Sequence, residues 1–168
     1  MALPRLRMDL QVASRSRSVP DRRRFRRWAA AALARPADLT LRVVDRREGE
    51  RLNADFRDGD HATNVLTFVY GLNDGRLEGD IVLCAPVVRE EALGQGKPLD
   101  AHYAHLTVHG VLHLQGWDHE SDRDARKMEA RETAILRSMG YADPYLPVAP
   151  APSAPKARRS KPAPGRKP

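Results

Sequence analysis

The chain has 168 residues and a formal charge of +7, long enough for one domain with a real core and too short for two ordinary ones. Its single cysteine, Cys84, excludes an intramolecular disulfide. No apolar run approaches the roughly 18 residues of a membrane span, and the N-terminal region lacks the apolar core of a signal peptide, so a soluble, cytoplasmic protein is expected.

The elements are read in chain order. Residues 8–13 read as a strand, and Pro20 opens DRRRFRRWAAAALA, in which Phe25, Trp28, Ala29 and Ala32 share one helical face. Residues 39–44 alternate as a strand does, and residues 48–57 read as a helix through Leu52 and Phe56, four apart. Two β-branched or aromatic runs, 65–70 and 79–84, flank the turn signal NDG at 73–75 and form a candidate hairpin. From Pro86 onward the pattern is helical: residues 87–93, the breaker GQGKP, then a long segment from about 100 to 114. Ser121, with Asp124 three residues on, is a candidate N-cap for a last helix that runs to Met139 and stops at Gly140.

Beyond Pro147 the composition is dominated by Pro, Ala, Lys and Arg without aromatics, which cannot offset the entropy of ordering. The expected organisation is one domain over 1–146 and a disordered tail over 147–168. Six cations, Lys156, Arg158, Arg159, Lys161, Arg166 and Lys167, lie in that tail without an acid, leaving about +1 on the rest. A second basic cluster, Arg15, Arg17, Arg22, Arg23, Arg24, Arg26 and Arg27, contains only Asp21 among the acids. Such clusters attract polyanions, of which nucleic acid is the commonest; a solvated helix face and a solubilising tail account for the same charges.

The chemistry concentrates in HGVLHLQGWDH, which holds His109, His113 and His119, half of the histidines. Residues four apart on a helix project from one face, so His109 and His113 can share an ion. Gly116 is placed to end the helix in a left-handed residue and to swing His119 to a third corner. Three neutral imidazoles around a divalent ion leave one tetrahedral position for water, the arrangement of a catalytic zinc site. His102 and His105, earlier on the same helix, are competing ligands without the turn; His61 has no partner in sequence. A thiolate from Cys84 would close the site and make it structural.

The spacing HxxxHxxGxxH is shared with a group of zinc proteases whose glutamate after the first histidine is the general base. Here that position is Gly110, which cannot accept a proton. A peptidase of that mechanism is therefore disfavoured, and the basic clusters favour a phosphodiester substrate.

HLTVHGVLHLQGWDH at 105–119, with TNVLTF at 63–68, LNADFR at 52–57 and GDIVLC at 79–84, closely resembles the bacterial YbeY family of metal-dependent single-strand endoribonucleases. The resemblance covers about 8–146 in the same order. It implies an α/β (α+β) fold with a small mixed sheet of about four strands packed with helices, and a zincin-like site on a helix and the turn after it. It also implies one Zn2+ ion per chain held by His109, His113 and His119, with His109 and Arg57 as the catalytic residues. By itself Arg57 would read as an ordinary exposed arginine; the resemblance assigns it to phosphate, which a guanidinium can hold by two parallel hydrogen bonds. Trp117 stands where tyrosine is common in the family.

The implied function is 16S ribosomal RNA 3′-end maturation, ribosome biogenesis and RNA quality control. The implied partners are single-stranded RNA, ribosomal RNA and the ribosome or its assembly factors. Asp118, beside a ligand, either orients an imidazole or water or stabilises the turn. Two rival functions remain at this level, a metallopeptidase of the HxxxHxxGxxH type and a non-catalytic ribosome-assembly factor with a structural zinc.

Overall fold

A computed structural model of the chain describes residues 5–57 and 63–147, apart from the side chains of 56 and 57. The expected tail therefore lies, from residue 148 onward, outside the described residues, as does His61. Strands β1 (Leu6–Ala13), β2 (Ala37–Val44), β3 (Val65–Asn73) and β4 (Arg76–Cys84) are joined by helices α1 (Arg22–Ala32) and α2 (Arg46–Arg57). Helices α3 (Ala85–Gln95), α4 (Leu99–Leu114) and α5 (Asp122–Ser138) follow β4. The α/β expectation holds, with a mixed sheet of order β1-β2-β4-β3 in which only β3 runs antiparallel.

Alternation along the strands decides which face is covered. Leu6 and Met8 of β1, Leu39, Leu41 and Val43 of β2, and Leu77, Ile81 and Leu83 of β4 turn to one face and join the main core with α1, α4 and α5. Phe25 and Trp28 of α1 meet edge-on at 5.5 Å, and Phe25 meets Tyr103 of α4 at 5.8 Å. The opposite face carries a smaller cluster of Val44, Leu66, Val82 and Cys84, against which Leu52 of α2 and Val87 of α3 pack.

Local signals fix the ends. Asp21 accepts a hydrogen bond from the Arg24 N–H at 3.0 Å and starts α1, a cap contributing about 1 kcal/mol. Ser121 does the same for the Asp124 N–H at 3.0 Å and starts α5. β3 and β4 run to the two-residue turn Asp74–Gly75, so both strands are longer than the apolar runs that reveal them. Pro86 lies inside the first turn of α3, where a missing N–H costs nothing.

Several of the arginines expected to form a polyanion-attracting cluster are engaged within the protein. Arg24 bonds Asp100 at 2.7 Å, Arg26 donates to the Leu6 carbonyl at 2.7 Å and Arg27 to the Met139 carbonyl at 3.1 Å. They tie α1 to α4, β1 and the end of α5. At the other end of α1, the Gln115 side chain accepts from the Ala34 N–H at 2.8 Å and donates to the carbonyls of Ala32 at 2.7 Å and Val111 at 3.1 Å.

Candidate metal centre

Helix α4 is the central element, buried on most of its circumference. Gly110 explains how closely it lies on the sheet: a Cβ there would stand 3.2 Å from Cγ2 of Ile81 and 3.4 Å from Cγ2 of Thr67. The position between the two α4 histidines is thus packed against β3 and β4, and a side chain there would press on Ile81 and Thr67.

The C-terminus of α4 turns as its glycine predicts. Gly116 takes φ +99°, and the N–H groups of Gly116 and Trp117 bond the carbonyls of His113 at 3.0 Å and Leu112 at 3.2 Å. This left-handed cap reverses the chain and sends His119 back over the helix face. The rings of His109, His113 and His119 form a nearly equilateral triangle, with centroids 6.0 Å apart for 109–113, 5.6 Å for 109–119 and 5.9 Å for 113–119. His113 and His119 are exposed and His109 is half-buried.

The three rings line one side of a groove of about 320 Å³ whose other wall is Asn53 of α2, residues 63–64 and Val65, Leu66 and Thr67 of β3. Three imidazoles on one tetrahedral ion, at metal–nitrogen distances of about 2.0–2.1 Å, would have ring centres about 5 Å apart. The observed triangle is slightly wider, and among the described residues no group of three His, Cys, Asp or Glu side chains is drawn together tightly enough to constitute a metal centre. The donor set, three imidazoles with ring centres within about 1 Å of that spacing, fits a divalent ion.

His109 is held from behind. Its Nδ1 lies 2.6 Å from Oε2 of Glu132 on α5, a residue with no exposed surface. Oε1 of the same carboxylate meets Nε2 of His105 at 2.9 Å and accepts a short hydrogen bond from the Tyr145 hydroxyl. Burial alone would push the Glu132 carboxyl up, but the hydrogen bonds from His105, His109 and Tyr145 together outweigh it and hold it down to about 2. Burial and the bond to Glu132 push the Tyr145 phenol well above its ordinary value. The sequence reading does not single out Glu132. The available signal was its place on the apolar stripe of α5, four residues after Met128 and four before Leu136, all three buried.

The other candidates fall elsewhere. His102 gives Nε2 to Glu91 at 2.8 Å and is 3% exposed, and burial pushes its pKa down despite the carboxylate. His105 is committed to Glu132 and Tyr145. Neither joins the triangle. Cys84 is excluded as a fourth ligand, because its thiol is buried with Val44, Leu66 and Val82 on the opposite face of the sheet, where burial raises its pKa. Asp118 accepts the Glu120 N–H at 3.3 Å, the turn-stabilising alternative. Arg57 is the last residue of α2, one helical turn beyond the groove-lining Asn53; its side chain lies outside what the structure describes.

Comparison with known proteins covers this whole region. A family model described as endoribonuclease YbeY matches residues 13–140. Proteins named Endoribonuclease YbeY include one from Nitrosomonas europaea, 57% identical over 139 residues and covering 83% of this chain and 84% of its own. Another, from Thiobacillus denitrificans, is 53% identical over 143 residues and covers 84% of this chain and 97% of its own. A solution structure from Thermotoga maritima, 23% identical, superposes with a TM-score of 0.55 over 84% of this chain and 99% of its own, which bears on the fold alone. With a family model matching residues 13–140, a range that includes the histidine segment and strands β2 to β4, and relatives at this level of identity, the chain belongs to the endoribonuclease YbeY family.

Proposed function

We propose that this chain is a zinc-dependent endoribonuclease acting on single-stranded RNA, in which His109, His113 and His119 hold one Zn2+ ion and Arg57 binds the phosphate. The observation that carries the reading is the triangle of three imidazoles on one groove wall, two of them open to solvent, in a chain of the endoribonuclease YbeY family. When bound, such an ion supplies Lewis acidity at a phosphoryl oxygen.

The chain's own residues supply orientation and charge. The groove, about 320 Å³, is bounded by the edge strand β3. Arg57 follows Asn53 by four residues in α2, and an arginine guanidinium can hold two phosphate oxygens and stabilise charge building on them during cleavage. The position that would carry a peptidase's glutamate is packed against Ile81 and Thr67, so the peptidase reading has no general base there. The finer assignment, 16S ribosomal RNA 3′-end maturation and RNA quality control in the cytoplasm with the ribosome or its assembly factors as partners, rests on kinship. No helix among the described residues is long and apolar enough to cross a membrane.

The test is metal content measured together with cleavage of a short single-stranded RNA, wild type against His113→Ala. Both are expected to fall together. Cleavage retained without metal would overturn the reading, and metal retained without cleavage would favour a structural ion.

A further inference from the structure

We propose that Glu132 is the positioning residue of the histidine triangle: by accepting the His109 Nδ1 proton it dictates that Nε2 is the nitrogen His109 offers to the groove, while His105 and Tyr145 clamp the carboxylate in place. The inference rests on the metal reading of the site and names the group that prepares it.

The argument begins with proton bookkeeping. An ionised carboxylate only accepts hydrogen bonds, so each nitrogen or hydroxyl facing it must carry the hydrogen. Oε2 faces His109 Nδ1 at 2.6 Å, and Oε1 faces His105 Nε2 at 2.9 Å and the Tyr145 hydroxyl. His109 is therefore set as the Nδ1–H form when neutral, which leaves a lone pair on Nε2, on the far side of the ring from Glu132. A metal takes only such an unprotonated nitrogen. An outer carboxylate on a ligand imidazole fixes its tautomer and raises its basicity.

The location argues for function. Glu132 has no exposed surface and sits between Met128 and Leu136 on the stripe that α5 turns to the core. Its ion-pair partners among the described residues are imidazoles, His105 and His109. Burying a carboxylate costs stability, and leucine would fill such a stripe without that cost. The clamp also reaches past α5: Tyr145 is itself fixed by its N–H to Asp143 Oδ1 at 2.9 Å, and Lys97 bonds the Pro144 carbonyl at 2.6 Å. The segment after the last helix thereby closes over the back of the site. The molecule supplies its own control in Glu91, which holds His102 at 2.8 Å and accepts from the Asn64 side chain of the groove wall at 3.0 Å, but bonds none of the three groove imidazoles. There the second ring nitrogen, Nδ1 of His102, is buried without a hydrogen-bond partner among the described residues and does not reach the groove lining.

The experiment uses the full chain, stripped of metal by chelation. Zn2+ affinity is measured by competition with a chromophoric chelator, and the His109 tautomer by imidazole 15N NMR of the metal-free protein. The variants are Glu132→Leu, Glu132→Gln, Glu91→Gln and His113→Ala. Wild type is expected to show His109 as the Nδ1–H form. Glu132→Leu is expected to lose about 10- to 100-fold in Zn2+ affinity and to shift His109 toward the Nε2–H form, with the fold retained by circular dichroism. Glu132→Gln, which keeps the shape and one acceptor, should fall between, and it carries the test if the leucine variant does not fold. Glu91→Gln should leave both readings within about two-fold of wild type, since it acts on no groove imidazole.

Unchanged affinity and tautomer in the Glu132 variants overturn the inference, as does an equal loss in Glu91→Gln. Failure of the metal reading looks different: His113→Ala would then bind Zn2+ as wild type does, while the tautomer measurement would still report whether Glu132 sets the ring.

Discussion

In the first half of α4, His102 is 3% exposed, bonded to Glu91, and carries a second nitrogen with no hydrogen-bond partner among the described residues. In the second half, His113 is exposed and His109 opens on the groove beside His119. The residue type is the same, the helix is the same and the spacing is the same three or four residues. What differs is the surroundings. His102 is buried with its Nε2 on Glu91, and His105 gives its Nε2 to Glu132 and Tyr145, whereas His109 meets Glu132 only through Nδ1 and lines the groove with His113 and His119 where the chain turns at Gly116. A run of histidines on a helix is thus no metal signal by itself; the turn that uncovers one end makes it one.

The sharpest way to break this contrast is to exchange deletions between the halves. His113→Ala is expected to lower Zn2+ affinity more than about 100-fold, beyond what loss of an outer partner gives, with metal-free stability changed by less than about 0.5 kcal/mol because the side chain is exposed. His102→Ala should do the opposite, costing about 1–3 kcal/mol in urea unfolding as a buried hydrogen bond is lost, with Zn2+ affinity retained. Reversed outcomes would mean that the buried half is the binding half.

Gly110→Val sharpens the contrast by testing the face between the histidines. The added branches meet Ile81 and Thr67, and a cost of about 1–3 kcal/mol is expected from overpacking. Unchanged unfolding would show that α4 has room to lift from the sheet.

The smallest expected effect is a pH dependence from the buried half. Burial pushes the His102 pKa down, so between its folded value and about 6.5 the unfolded chain binds a proton that the folded chain does not. Stability from this group is complete above about 6.5 and is lost as pH falls through that window. His102→Asn should flatten that stretch of the stability profile. A wild type that gains stability on acidification there would show His102 charged against Glu91.

The parts legible in the sequence are those whose causes are local. The Gly116 turn, the Ser121 cap and the i, i+4 histidine pair each follow from residues within one or two turns of one another, and they build the site. The strand order β1-β2-β4-β3 follows from pairings across tens of residues, which no window of sequence contains. Glu132 was hidden differently: its neighbours Glu129 and Arg131 are exposed, so its charge reads as one more surface charge unless the apolar stripe is traced through it. The arginines of α1 were legible as charge, but their engagement with Asp100 and two carbonyls depends on where α4, α5 and β1 come to lie.

Gln115 has a consequence for how the molecule is made. Its side chain binds Ala34 and Ala32, residues 81 and 83 positions earlier, immediately before the turn that carries His119. Helices form in microseconds, but a closure of this length must wait for distant segments to find each other. A refolding chain should therefore gain helical signal well before the Gln115 bonds to Ala32 and Ala34 close, a delay that stopped-flow circular dichroism set against Trp28 fluorescence would measure.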